Sequence, residues 1–286
     1  MEVRELQTRS LPLQLREIPQ PPKRLWMRGS WPATDTKYLA VVGSRALTSY
    51  GREAVAMLIG GLSGYPVSVV SGLALGTDAA AHRAALSAGL HTVAIPGSGL
   101  DDTVIGPRTN LPLARDILAS GGALLSEHEP TYAAHPYDFP SRNRLMVGLA
   151  DAVLVVEAGE RSGTLITARL AGEYNRELLC VPHRIGDPHG FGAHIFLRLG
   201  ATMVTEPQHL LEALRIASDE TLKETRPEPQ DLSNAEQAVY ALLENPLPRD
   251  ELVRNAKLPA HEALSALVSL ELRGLLKEEF GAWRRV

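Results

Sequence analysis

Serine, glycine and arginine gather at several points where an apolar run gives way to a helical pattern, and the chemistry such clusters suit is phosphate binding. The hexapeptide Phe139–Arg144 (FPSRNR) opens a helical pattern continued by Leu145, Met146 and Leu149, which brings arginines and backbone N–H groups to a helix start. Arg142 and Arg144 can each fork onto a phosphate, with Asn143 between them. Ala152–Val156 reads as a strand buried on both faces; it delivers Glu157 to its carboxyl end, and Ser162-Gly163-Thr164 then starts another helix. An earlier strand ends in Gly43-Ser44-Arg45, where glycine permits close backbone approach, Ser44 has a hydroxyl to donate and Arg45 a guanidinium. A third, Ser71-Gly72 through Gly76-Thr77-Asp78, repeats the logic and enters a helix carrying His82 and Arg83. Asp78 reads as the N-cap of that helix and His82 as a helix-face residue. Phe139 has two readings, a face on which a base stacks or a plug in the core. Gly163 and Thr164 read as close-approach and N-cap positions, with a structural role ahead of direct contact.

These clusters need a scaffold that points strand ends and helix starts at one place. Apolar runs at Leu39–Val42, Val67–Val70, Thr92–Ile95, Ala123–Leu125, Ala152–Val156 and Leu178–Val181 alternate with amphipathic helical stretches. That alternation predicts an α/β fold, a Rossmann-like and mostly parallel sheet covered on both faces, whose ligands bind at the strands' carboxyl edge. Residues 1–37, rich in proline and without helical periodicity, read as an extended lead-in pinned by Trp26 and Trp31. The domain itself spans 38–217 and the polar, proline-bearing stretch 218–231 is a linker. Residues 232–286 then carry a Ser233/Glu236 capping box, helical runs at Asp250–Ala256 and Ala260–Arg273 split by Pro259, a Gly274 cap and a hairpin turning at Gly281. Three helices and a hairpin predict a small winged-helix-like domain.

Composition narrows the class. The 286 residues, 44% hydrophobic and 22% charged, suit globular domains, and neither a spanning apolar run nor a signal pattern is present, so the expectation is a cytoplasmic protein without membrane insertion. The single cysteine, Cys180, lies in an apolar strand run and reads as a buried thiol; it excludes an internal disulfide. Net charge is −4, so a polyanion site must be local, and from Tyr38 to Ala217 every Lys/Arg position is arginine, through chemistry or genome composition. Residues 232–286 carry seven cations against eight acids; a net −1 favours protein contact or packing over reading of duplex DNA. No metal site is expected: His189 and His194 stand five apart across glycines.

In order and spacing, GSR (43–45), SGLALGTD (71–78), PGSGLD (96–101), FPSRNR and ERSGTLITA resemble the DNA-processing protein A family, also called Smf, from Tyr38 to about Leu214. The resemblance implies a non-enzymatic single-stranded DNA binder that protects incoming strands in natural transformation, forms a homodimer and loads the RecA recombinase, with no cofactor. It implies a DNA pocket of Gly43, Ser44, Arg45, Ser71, Gly72, Phe139, Arg142, Asn143 and Arg144, to which Gly163 and Thr164 are added as candidates. The chain departs from the family at Leu75, where an arginine is common, at Thr77 for isoleucine and at His194 for asparagine. Many relatives carry a further N-terminal helical domain, for which the 37 residues before Tyr38 are too few.

The competing enzyme reading is a nucleotide phosphoribohydrolase of the lysine-decarboxylase-like group, which Glu157–Thr164 superficially resembles. Its Pro-Gly-Gly is missing and Thr167 stands where its catalytic glutamate belongs. No Gly-x-Gly-x-x-Gly follows a strand and no Walker lysine motif exists, which disfavours dinucleotide and ATP chemistry. For a dimer surface the apolar run Ile195-Phe196-Leu197 with Leu199 is the local candidate, with burial in the monomer core as the alternative.

Overall fold

The computed structural model describes residues 2–7, 11–160, 162–217, 232–243, 247–279 and 282–285; the linker expected over 218–231 and the turn expected at Gly281 lie outside them. The chain divides into two units, Met1–Ser218 and Asp219–Val286. In the first, the elements run β1 (Arg4–Leu6), α1 (Leu13–Arg16), β2 (Leu25–Gly29), β3 (Lys37–Val42), α2 (Ser49–Gly60), β4 (Val67–Ser71), α3 (Thr77–Ser87), β5 (His91–Ala94), α4 (Leu111–Ala119), β6 (Ala123–Ser126), α5 (Asp138–Leu149), β7 (Ala152–Val155), α6 (Thr164–Glu173), β8 (Glu177–Cys180), α7 (Phe191–Arg198), β9 (Thr202–Met203) and α8 (Pro207–Ala213).

All six apolar runs become strands of one sheet ordered β1-β2-β6-β5-β4-β3-β7-β8-β9, parallel from β6 through β9. Period-two side-chain alternation builds a core on each face. In β3, Tyr38, Ala40 and Val42 join Leu145, Met146 and Leu149 of α5 and Ala168 and Ala171 of α6. Leu39 and Val41 point the other way, onto Val55, Leu58 and Ile59 of α2 and Ala81 and Ala85 of α3. Each large aliphatic side chain so buried contributes about 1.5–3 kcal/mol. Cys180 is buried among them, and that burial pushes its thiol up to about 12.

The lead-in does not stay a plain extended segment. Its β2 pairs antiparallel with β6, β1 pairs with β2, and α1 packs Leu15 against α5. The run Leu25–Gly29 is short and flanked by prolines, so its strand character comes from the β6 edge it covers. Trp26 and Trp31 are half-buried against two of the cores, which holds this segment down.

The second unit contains α9 (Asn234–Leu242), β10 (Leu247–Pro248), α10 (Arg249–Asn255), α11 (Ala260–Leu272), β11 (Leu276–Glu279) and β12 (Ala282–Arg285), with sheet order β10-β12-β11. Val239, Leu252, Leu267, Leu270 and Trp283 form its core. The capping box is present: Glu236 N–H donates to Ser233 Oγ at 3.3 Å and Ser233 N–H to Glu236 Oε2 at 2.7 Å. Gly274, at φ +70°, ends α11 where a side chain would be strained.

Candidate nucleic-acid interface

Strand order reverses at β3. From it the chain winds through α2 to β4 on one side, while β7 pairs with its other edge and leads through α6 to β8. The helices after β3 and β7 therefore diverge, and a crevice opens at the strands' carboxyl ends, the usual ligand position in such sheets. A cleft of about 500 Å³ lies there. Of the expected residues it is lined by Gly43, Ser44, Arg45, Phe139, Arg142, Asn143, Gly163 and Thr164.

The loop after β3 is packed tightly onto the start of α3. A Cβ on Gly43 would fall 2.4 Å from Thr77 Oγ1, and one on Gly76, at φ +73°, 2.3 Å from the Ser44 carbonyl oxygen. That carbonyl accepts hydrogen bonds from Thr77 N (3.0 Å) and Thr77 Oγ1 (3.1 Å), so the threonine at this departure from the family ties two site loops together. Arg45 emerges exposed at the loop's tip, with its guanidinium carbon 5.2 Å from the centroid of the Phe139 ring. Phe139 is half-buried against Gly97; it is neither a core plug nor fully open, because Arg45 covers it.

Helix α5 starts at Asp138, two residues before Pro140, so Phe139, Arg142, Asn143 and Met146 share the face that lines the cleft. Arg142 is buried. It donates to the Ile95 carbonyl, to Asn143 Oδ1 at 3.0 Å, and lies 3.5 Å from Asp78 Oδ2. Burial pulls the pKa of this guanidinium down, and the Asp78 charge opposes that. Asp78 is not an N-cap: Gly76 holds that position, and the Asp78 carboxylate accepts from Gly72 N (3.1 Å) and Ala74 N (3.3 Å), folding the loop back under Arg142.

Three expected residues are not in the cleft. Ser71 is fully buried and its hydroxyl donates to the Val41 carbonyl at 2.7 Å. Gly72 lies beneath Arg142, where a Cβ would come within 1.8 Å of Nη1, so its part is to make room for that side chain. Arg144 points away, to Glu127 and the Gln20 carbonyl, because positions two apart on a helix face opposite sides.

On the opposite wall Gly163 is the N-cap of α6, without a side-chain cap, and Thr164 is its first residue, so Thr164 does not cap this helix. Ser162 does more there: its Oγ accepts from Thr164 N at 3.2 Å. His189, which was not among the expected site residues, also lines the cleft, held by Asp187 through its N–H (2.8 Å) and Nδ1 (3.1 Å). The signal for it was the Asp-Pro-His-Gly cap of a single helical turn. Glu157 is wholly buried beneath α2, accepting from Thr48 N at 3.2 Å and from the Thr48 hydroxyl, where a carboxylate suits the helix N-terminus. His82 lies on the buried face of α3; the Thr92 hydroxyl donates to the Val69 carbonyl, so its Oγ1 accepts from His82 Nδ1 at 2.8 Å, and burial brings the imidazole pKa down to about 3. Phe196 packs in the core, so the candidate dimer run is left with the exposed Leu199 and the part-exposed Ile195.

Fold and cleft together define the class: a Rossmann-like domain with a cleft at its switch point, joined in one chain to a winged-helix unit. The chain belongs to the DNA recombination-mediator protein A family, whose model matches residues 3–215, and the model of the DprA winged helix domain matches residues 223–281. Protein Smf of Escherichia coli (strain K12) is 36% identical over 288 residues, 96% of this chain and 75% of that protein. DNA processing protein DprA of Streptococcus pneumoniae (strain ATCC BAA-255 / R6) is 40% identical over 200 residues, 70% of each. The X-ray structure of DNA processing protein A from Streptococcus pneumoniae superposes with a TM-score of 0.69 at 36% identity, covering 74% of both chains. A structure described as giving insight into the unique single-stranded DNA binding mode of DNA processing protein A from Helicobacter pylori gives 0.66 at 30% identity, covering 75% of this chain and 96% of that one. No helix among the described residues is long and apolar enough to cross a membrane.

Proposed function

We propose that the switch-point cleft binds single-stranded DNA without regard to sequence, and that the protein is a recombination mediator that protects strands entering by transformation and passes them to RecA. The observation that carries the DNA reading is the state of the arginines. Arg142 and Arg144 are engaged by Asp78 and Glu127, whereas Arg45 has no ion pair among the described residues and stands exposed on the Phe139 ring at the cleft mouth. Its guanidinium edge is available to a phosphate, and the aromatic ring beside it offers a surface to a base. The single-stranded DNA in the description of the Helicobacter pylori relative supports the same reading.

The reading is non-enzymatic and cytoplasmic. Asp78 is the one carboxylate that lines the cleft among the described residues, and it is held by two backbone amides and Arg142, where glycoside hydrolysis needs a carboxylate pair. The homodimer is assigned to the surface carrying Leu199, and the winged helix, with its net −1, to protein contact. A rise in DNA-dependent ATP hydrolysis by RecA on adding the protein would support the loading role; no change would remove it.

The test of the cleft is a fluorescence-anisotropy titration with single-stranded and duplex DNA of equal length at two salt concentrations, for wild type and Arg45→Ala. Wild type is expected to prefer the single strand with steep salt dependence, and the folded variant to bind all sequences more weakly with a salt slope shallower by about 0.7. Absence of a single-strand preference overturns the reading.

A further inference from the structure

The loop that leads into α5 carries a row of rings that the cleft does not use. His128 and Tyr132 stack at 4.1 Å with planes 10° apart, Tyr132 meets His135 edge-on at 5.8 Å, and His135 and Tyr137 are parallel within 7° at 5.4 Å. Asp138 locks the row from below: its Oδ2 accepts from the Tyr132 hydroxyl at 3.0 Å and from His135 N at 2.7 Å. Tyr137, 68% exposed, ends the row. It lines a second depression of about 430 Å³ with Pro140, Arg144, Ile166, Leu170 and Tyr174. Pro140 and Ile166 line this depression and the first cleft alike, so the two lie side by side with those residues between them.

We infer that this depression is a second nucleotide subsite, in which a base of the strand leaving the first cleft stacks on Tyr137. The inference rests on the first cleft binding single-stranded DNA. The chemistry differs between the two places. Here Glu173 lies in the wall and Arg144 is paired with Glu127, which leaves little net positive charge for a phosphate. What the site offers is a ring already held flat by its neighbour, so stacking there costs little ordering entropy. Stacking is tolerant of base identity, which suits a strand bound without sequence preference. The two subsites therefore divide the work: the Arg45 charge in the first, aromatic surface in the second.

The experiment is an anisotropy series on oligothymidines of increasing length, at two salt concentrations, with wild type, Tyr137→Ala, Tyr137→Trp and Arg45→Ala. Tyr137→Ala is expected to match wild type on the shortest oligomers, to lose about five- to a hundredfold on longer ones, and to keep the wild-type salt slope. Tyr137→Trp is expected to restore the loss. Equal binding by Tyr137→Ala and wild type at every length overturns the second subsite while leaving the first intact. Failure of the first is recognised differently, by wild type not binding or by Arg45→Ala binding unchanged. Photocrosslinking of wild type to 5-iodouracil oligomers gives a readout without mutation: adducts on Tyr137 or Tyr174 are expected, and adducts confined to Phe139 overturn the inference.

Discussion

At the residue scale, three arginines of similar appearance in the sequence have three different occupations. Arg45 is exposed, Arg144 serves a part-buried pair with Glu127, and Arg142 is a buried strut whose guanidinium ties the end of β5 to the start of α3. Removing one partner of a buried ion pair leaves the other charge uncompensated, so Arg142→Ala should destabilise the first unit by about 3–5 kcal/mol, read from urea denaturation. Its effect on DNA affinity should follow that loss of structure. A variant that keeps wild-type stability and binds DNA weakly would mean that Arg142 contacts the phosphate itself. The separation of Arg142 from Arg144 was legible in principle, since two residues along a helix turn a side chain through about 200°. Arg142's burial was not, because Asp78 and Ile95 approach it from distant parts of the chain.

At the element scale, helix starts do most of the positioning, and their caps are the most local features of the fold. The Ser233/Glu236 box formed as its spacing implied. Glu236 gains a further donor, the Ser269 hydroxyl at 2.6 Å, and that bond, with the amide and hydroxyl of Ser233, brings its carboxyl down to about 2 from an ordinary 4.5. A carboxylate whose folded pKa lies below its unfolded one stabilises fully above the unfolded value, and the contribution is lost as protonation becomes possible. The winged-helix unit should thus lose stability between about pH 4.5 and about pH 2, and Glu236→Gln should flatten that slope. Denaturant midpoints across this range check it; equal slopes in wild type and variant would show that the bond to Ser269 carries no linkage. Elsewhere other short-range bonds took the place of the expected caps: Asp78 turns back to the amides of the loop before it, and Ser162 rather than Thr164 accepts at the start of α6.

At the scale of the whole molecule, the sheet's strand order creates the cleft, and the exposed apolar side chains beyond β8 bear on assembly. Leu199 is 76% exposed and Met203 53%, while Phe196, from the same run, is 8% exposed and part of the core. Leu199→Glu should therefore leave the protein folded and halve the mass seen by light scattering if the homodimer uses this surface. A folded variant of unchanged mass would move the interface elsewhere. A charge at Phe196 should instead unfold the first unit, because it would be buried without a partner.

The six parallel strands, the helices between them and the capped tail were determined by the sequence itself, because period-two and helical patterns and caps depend on residues a few positions apart. So was the meeting of most candidate residues at one place, since the eight of eleven that line the cleft come from strand ends and helix starts that an α/β sheet brings to one edge. The covering of the β6 edge by the lead-in, the burial of Arg142 over Gly72 and the Arg45–Phe139 contact were decided only in the tertiary structure. Each depends on which strand lies beside which and on which face a side chain finds occupied, and neither is a property of any local stretch of chain.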